Sequence, residues 1–143
     1  MKNNIVILLA EDDFGHAGLI IKNLKRSGIG NEIIHFKDGQ DTLNYLSEQT
    51  QVPKDQGGAG YVLLLDIRMP RVDGIEVLTR MKKDERLRRI PVIMVTTTDD
   101  DATVNLCYEL GCASYISKPV DYDAFIKMVQ ELGAYLKMME VPE

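Results

Sequence analysis

Tyr61-Val-Leu-Leu-Leu-Asp66-Ile-Arg-Met-Pro70-Arg-Val-Asp73-Gly74 carries a run of apolar residues to a single acid at the mouth of a tight turn. An apolar run without polar alternation fits a parallel strand buried on both faces, and Met69-Pro70 followed by Asp73-Gly74 marks where it ends. Open parallel sheets place their chemistry at the carboxyl edge of their strands. Asp66 is therefore the first candidate functional group.

Working outward, the same design recurs. Ile5-Val6-Ile7-Leu8-Leu9-Ala10 is a second buried-strand run, and it stops at the acids Glu11-Asp12-Asp13. From Ala17 the apolar positions Leu19, Ile20 and Leu24 follow helical spacing until Ser27-Gly28, where glycine suits a left-handed cap, and Asp13 suits the cap at the other end. Ile33-Ile34-His35-Phe36 is a short strand, and Asp38-Gly39 turns into a helix carrying Leu43 and Leu46. After the opening stretch, Asp73-Gly74-Ile75-Glu76 has the pattern of a helix N-cap, and Ile75, Val77, Leu78 and Met81 supply the apolar face. The basic group Lys82, Lys83, Arg86, Arg88 and Arg89 then suits the negative end of the helix dipole as a solvated face. Pro91-Val-Ile-Met-Val-Thr96 reads as the fourth strand, and Asp101 as the cap of a helix with Val104, Leu106 and Leu110, closed by Gly111. Ala113-Ser-Tyr115-Ile-Ser117 is the fifth strand, ended by Lys118-Pro119, and Phe125, Met128, Val129, Leu132, Leu136 and Met139 mark a final helix face. Alternating strand and helix predicts an α/β protein whose parallel sheet is covered on both faces by right-handed crossovers.

A length of 143 residues suits one domain with a core of its own, so residues 1–143 are expected to form a single unit. The tract from Ser47 to Gly60 is polar and glycine-rich and reads as an inserted loop. Its Gly57-Gly58-Ala59-Gly60 lacks the Gly-Lys-Ser/Thr of a phosphate-cradling loop. A net charge of −5 argues against nucleic acid or an anionic membrane as direct partner. No apolar run approaches a membrane span or a signal peptide, so a cytosolic protein is expected. Cys107 and Cys112 lack metal-site spacing and read as packing thiols, and His16 and His35, without ligands at usable spacing, read as structural.

In a sheet of this kind the ends of the first, third, fourth and fifth strands converge, gathering Glu11, Asp12, Asp66, Thr96 and Lys118. Carboxylates 4 Å apart repel by about 4 kcal/mol at an effective dielectric near 20, so the cluster calls for a cation. Oxygen-only donors open to water favour Mg2+ over zinc. Asp66 is then placed as a nucleophile toward phosphorus, with the Lys118 ammonium and the Thr96 hydroxyl on the phosphoryl oxygens.

These residues, in this order, strongly resemble the receiver domain of two-component response regulators over nearly the whole chain. The matching elements are Glu11-Asp12, Asp66 with Met69-Pro70 and Asp73-Gly74, Thr96, Tyr115, and Lys118-Pro119. The resemblance implies a flavodoxin-like (βα)5 fold with strand order 2-1-3-4-5. It implies that Asp66 is the phosphoacceptor, and that Asp12, Asp66 and the backbone carbonyl of Arg68 bind Mg2+ (or Mn2+), with Glu11 acting through metal-bound water. Thr96 and Tyr115 would be the switch pair, the Lys118-Pro119 bond would be cis, and Arg68 and Thr98 would modify phosphoryl lifetime. The implied partner is a histidine kinase or phosphotransfer protein, with an altered surface along helix four, strand five and helix five presented downstream or used for homodimerisation. The chain is further similar to the small stand-alone regulators paired with bacterial phytochrome-type kinases, so no output domain is expected.

Other uses of such a sheet fit less well. A phosphatase of the haloacid-dehalogenase type needs a second Asp two residues after the nucleophile, where this chain has Arg68. A flavin carrier needs a Ser/Thr-Gly phosphate loop where Glu11-Asp12-Asp13 would repel phosphate. A receiver reduced to an interaction scaffold usually lacks the acceptor or the lysine, and Asp66 and Lys118 are both present.

Overall fold

Five apolar runs become five parallel strands, β1 (Val6–Ala10), β2 (Ile33–Phe36), β3 (Tyr61–Leu65), β4 (Val92–Thr96) and β5 (Ser114–Ser117). Between and after them lie α1 (Phe14–Arg26), α2 (Gly39–Thr50), α3 (Gly74–Lys83), α4 (Asp101–Glu109) and α5 (Tyr122–Met138). The computed structural model describes residues 1–50 and 60–142. The strand order is β2-β1-β3-β4-β5, as the resemblance implied, with β1 and β3 paired in register from Val6↔Tyr61 to Ala10↔Leu65.

Because side chains alternate along a strand, each central strand feeds two cores. Ile7, Leu9, Val62, Leu64, Ile93 and Val95 pack with α1 and α5, whereas Leu8, Leu63, Leu65, Val92 and Met94 pack with α2, α3 and Cys107 of α4. Continuing that alternation one step past each strand puts Glu11 and Asp66 on the α1/α5 side, and Lys118 follows Ile116 to the same side. Thr96 continues from Met94, and Tyr115 pairs with Met94, so both belong to the α3/α4 side. The pleat thus sorts the acidic and basic groups from the hydroxyl pair before any contact is considered.

Several boundaries differ from expectation. Asp100, not Asp101, caps α4, its carboxylate accepting from the Thr103 amide at 3.0 Å and from the Thr103 hydroxyl at 2.8 Å. An acid already inside the first turn cannot reach an N3 amide, which favours the residue just before it. Ser47 to Thr50 continue α2, so the inserted loop starts later than expected, and residues 51–59, with most of the glycine tract, lie outside the described residues. Lys118-Pro119 is trans, not cis, the form that an X–Pro bond favours by about 0.5–1 kcal/mol in the absence of other constraints. On α4 the buried residue is Cys107, and Leu106 is 39% exposed. Both cysteines are free and buried, as packing thiols should be. The cap at Asp13 and the left-handed glycines Gly28 and Gly111 are as read from the sequence.

The loop from Asp66 to α3 is fastened to the start of α2. Arg71 takes up a left-handed backbone, φ 68°, uncommon for a residue with a Cβ. Its guanidinium donates from Nε to Asp38 Oδ2 at 3.1 Å and from Nη2 to Asp38 Oδ1 at 3.0 Å and Asp41 Oδ1 at 2.6 Å. Asp38, 4% exposed, also accepts from the Asp41 amide at 2.8 Å, as a helix cap does. The Arg71 hydrogen bonds hold the Asp38 carboxyl below the usual carboxylate range. A carboxyl held low in the folded chain stabilises it above the ordinary carboxylate pKa, and that contribution disappears as pH falls through the lowered value. Asp38→Ala should therefore cost about 1–2 kcal/mol at neutral pH, the usual cost of a lost cap. Its stability should also fall less steeply than the native protein's as the solution is acidified. Urea midpoints against pH measure both, and parallel curves would contradict the linkage.

Candidate functional site

Asp66 is the first residue past β3, where its amide still donates to the Ala10 carbonyl at 3.0 Å. Its side chain has nowhere to go but the sheet edge: the residue is 7% exposed, Oδ1 accepts from the Ile67 amide at 2.7 Å, and Oδ2 accepts from Lys118 Nζ at 3.1 Å. Gly74, at the start of α3, donates its amide to the Ile67 carbonyl at 2.7 Å and so folds the loop back beneath the acid. Lys118 reaches the same point from the end of β5, where its amide donates to the Thr96 carbonyl at 2.8 Å. Its ammonium, 6% exposed as a residue, makes an ion pair with Glu11 as well as with Asp66.

Glu11 is 1% exposed, and burial pushes its carboxyl up to about 8, with Lys118 opposing the shift and the Asp66 charge adding to it. Asp12, next along the chain, is exposed. One carboxylate oxygen from each of Glu11, Asp12 and Asp66 lies within 4.8 Å of the others. Three acids face the single Lys118 ammonium, and the donors are all hard oxygens with one side open to water. That chemistry fits a Mg2+ or Mn2+ ion and offers no thiolate or imidazole of the kind zinc prefers.

Thr96, at the end of β4, is fully buried, and its hydroxyl accepts a long bond of 3.4 Å from the Thr98 amide. Tyr115 lies one strand further out, its hydroxyl donating to the Thr98 carbonyl and its amide donating to the Tyr108 hydroxyl at 3.1 Å. Burial pushes the Tyr115 phenol up to about 12. The β4–α4 loop is thus touched from both sides by the two residues expected to act as a pair. Thr98 Oγ1 is buried without a hydrogen-bond partner among the described residues, a group positioned to gain from any donor or acceptor that arrives. The Arg68 side chain is exposed and lies on the side of Asp100, whose carboxyl is held low first by Thr103 and to a smaller degree by the Arg68 charge.

The fold therefore brings Glu11, Asp12, Asp66 and Lys118 into one cluster, sets Thr96 next to it through the Lys118 amide, and leaves Tyr115 one contact away on Thr98. His35 is structural as expected, its Nε2 at 2.7 Å from the Glu11 carbonyl. His16 also lies beside this cluster, its Nδ1 3.3 Å from Lys118 Nζ and 3.9 Å from Glu11 Oε1. Its position in the first turn after the acidic triplet was the available signal, since that turn starts at the same sheet edge. Among the described residues no helix is long and apolar enough to cross a membrane.

The chain is similar to known proteins in both sequence and fold. The model of the response regulator receiver domain matches residues 7–130. The solved receiver domain from Rhodospirillum rubrum superposes with a TM-score of 0.89 at 43% identity, covering 96% of this chain and 97% of that one. Response regulator Rcp1 of Synechocystis is 34% identical over 130 residues, 91% of this chain and 87% of its own length. Its Mn(2+)-bound crystal structure aligns with a TM-score of 0.85 at 33% identity, over 96% of this chain and 99% of that one. The phosphorylated cyanobacterial phytochrome response regulator RcpA aligns with a TM-score of 0.83 at 28% identity, over 96% and 98% of the two chains.

Proposed function

This chain belongs to the response regulator receiver domain family, and we propose that it takes a phosphoryl group from a histidine kinase or phosphotransfer protein onto Asp66. The observation that carries this reading is the placement of Asp66, a 7% exposed acid at a strand end with one oxygen on Lys118 and two further carboxylates within 4.8 Å. A carboxylate oxygen of Asp66 forms the new O–P bond while the P–N bond of the donor phosphohistidine breaks. The electron pair leaves with the imidazole nitrogen, which takes up a proton from solvent.

Asp12, Asp66 and the Arg68 carbonyl, with Glu11 through water, would hold the Mg2+ or Mn2+ ion, whose positive charge lowers the repulsion between this acidic cluster and the incoming phosphoryl oxygens. Lys118, already on Asp66, turns its N–H groups toward those oxygens, and the Thr96 hydroxyl donates to another. As Thr96 moves, the β4–α4 loop that it shares with Tyr115 through Thr98 shifts, and the Tyr115 ring follows inward. Arg68 and Thr98 border the path of an attacking water and set how long the phosphoryl group lasts.

The output surface is the α4–β5–α5 face, where Leu106, Tyr108 and Tyr135 are exposed and the Tyr108 hydroxyl holds the Tyr115 amide. Movement of Tyr115 is thereby felt at a surface able to take a partner or a second copy. Likeness to RcpA, a phytochrome response regulator, supports a phytochrome-type kinase as donor.

Incubation with acetyl phosphate and Mg2+ should add the mass of one phosphoryl group to the intact protein, and excess EDTA should reduce the labelling rate at least about 100-fold. No adduct, or an adduct indifferent to chelation, would overturn the reading.

A further inference from the structure

An ammonium has three N–H bonds, and three acceptors surround Lys118: Glu11, Asp66 Oδ2 at 3.1 Å and His16 Nδ1 at 3.3 Å. Lysine cannot accept, so Nδ1 is the acceptor of that contact and the ring proton sits on Nε2. The ring is fixed from behind. It lies against Phe125 of α5, centroids 5.2 Å apart and tilted by 34°, and Phe125 is only 3% exposed. From the front, α1 is capped by Asp13, whose carboxylate accepts the His16 amide at 3.0 Å, so backbone and ring are both held.

We propose that His16 is a positioning residue for phosphoryl transfer at Asp66. It occupies the third N–H of Lys118 with a neutral acceptor and so keeps the other two directed at Glu11 and Asp66. A carboxylate in its place would add further negative charge to the cluster, and water would leave the ammonium free to swing. The inference rests on Asp66 being the acceptor, and it adds a residue that governs how fast the acceptor is loaded.

Two substitutions separate the acceptor from the ring. His16→Phe keeps an aromatic ring on Phe125 without an acceptor, whereas His16→Asn places an amide oxygen close to where Nδ1 stands. With acetyl phosphate and Mg2+, His16→Phe should label about fivefold more slowly than the unmodified protein, the scale of one lost ordinary hydrogen bond, and His16→Asn within about twofold of it. Mg2+ affinity, measured by calorimetry without any donor, should be the same in all three. If the unmodified protein is labelled on Asp66 and His16→Phe is labelled equally fast, this inference falls while the proposed function stands. Equal slowing in both variants, or slowing matched by a loss of Mg2+ affinity, would also overturn it. If the unmodified protein takes no label at all, the proposed function itself has failed.

Discussion

Asp66→Asn is expected to give a folded protein that takes up no phosphoryl group, either from acetyl phosphate or from a phosphohistidine donor. The amide oxygen of asparagine can keep the 2.7 Å bond from the Ile67 amide, so the turn after β3 retains its anchor. What disappears is the anionic oxygen that attacks phosphorus, and no rearrangement of Glu11 or Asp12 restores it. Stability should move little, because two effects oppose each other. The amide group loses its bond to Lys118, a loss of about 1–3 kcal/mol, while the repulsion among Glu11, Asp12 and Asp66 is relieved. Unfolding free energies from urea titration within about 2 kcal/mol of the unmodified protein, together with complete loss of labelling, are the expected pair of results. An undiminished adduct on this variant would mean that another group is the acceptor.

Gly74→Ala should do the reverse, damaging the fold first and the chemistry through it. A Cβ on Gly74 would lie 2.0 Å from the Asp66 carbonyl oxygen, 2.8 Å from its carbon and 2.9 Å from the Ile67 Cα. All three are backbone atoms of the turn that presents Asp66, so relief requires either the turn or the start of α3 to move. Overpacking against side chains costs about 1–3 kcal/mol, and fixed backbone should bring the loss to about 3 kcal/mol or more. Gly39→Ala meets the same obstacle in the Val72 carbonyl oxygen, 1.9 Å away, where the start of α2 is held under the Arg71 loop. Gly18 is the internal control: it lies in α1 with nothing within 4 Å, and alanine there should stabilise by up to about 1 kcal/mol. Chemical denaturation of the three variants, with acetyl phosphate labelling of Gly74→Ala below its transition, tests the argument. A Gly74→Ala midpoint equal to that of the unmodified protein would contradict it.

The sequence made the strands legible because each is a short apolar run ending in polar groups, a local signal. It also made Asp66, Glu11, Asp12, Thr96 and Lys118 legible as strand-end residues, and the pleat then explains why Glu11, Asp66 and Lys118 share one side of the sheet while Thr96 and Tyr115 share the other. The strand order itself came from resemblance, since apolar runs do not say which strand pairs with which. Contacts between distant positions stayed hidden. His16 and Lys118 are 102 residues apart, and Arg71 and Asp38 are 33 apart, so neither pairing leaves a mark in local periodicity. Of the three consecutive acids Asp99, Asp100 and Asp101, Asp100 and not Asp101 became the cap, a difference of one residue that depends on backbone geometry. The exposure of Leu106 on α4 was also beyond reach, because helical spacing shows a face without showing how much of it the sheet covers.

The central claim is that one side chain, Asp66, carries the phosphoryl group. Borohydride reduction tests it most directly, because hydride cleaves an acyl phosphate and converts the aspartate that bore it into homoserine. After labelling with acetyl phosphate and Mg2+, reduction, digestion and peptide sequencing by mass spectrometry should find homoserine at position 66 alone. Homoserine at position 12 or 13, a reduced glutamate at position 11, or no reduced residue in a protein that had gained the phosphoryl mass would contradict the account.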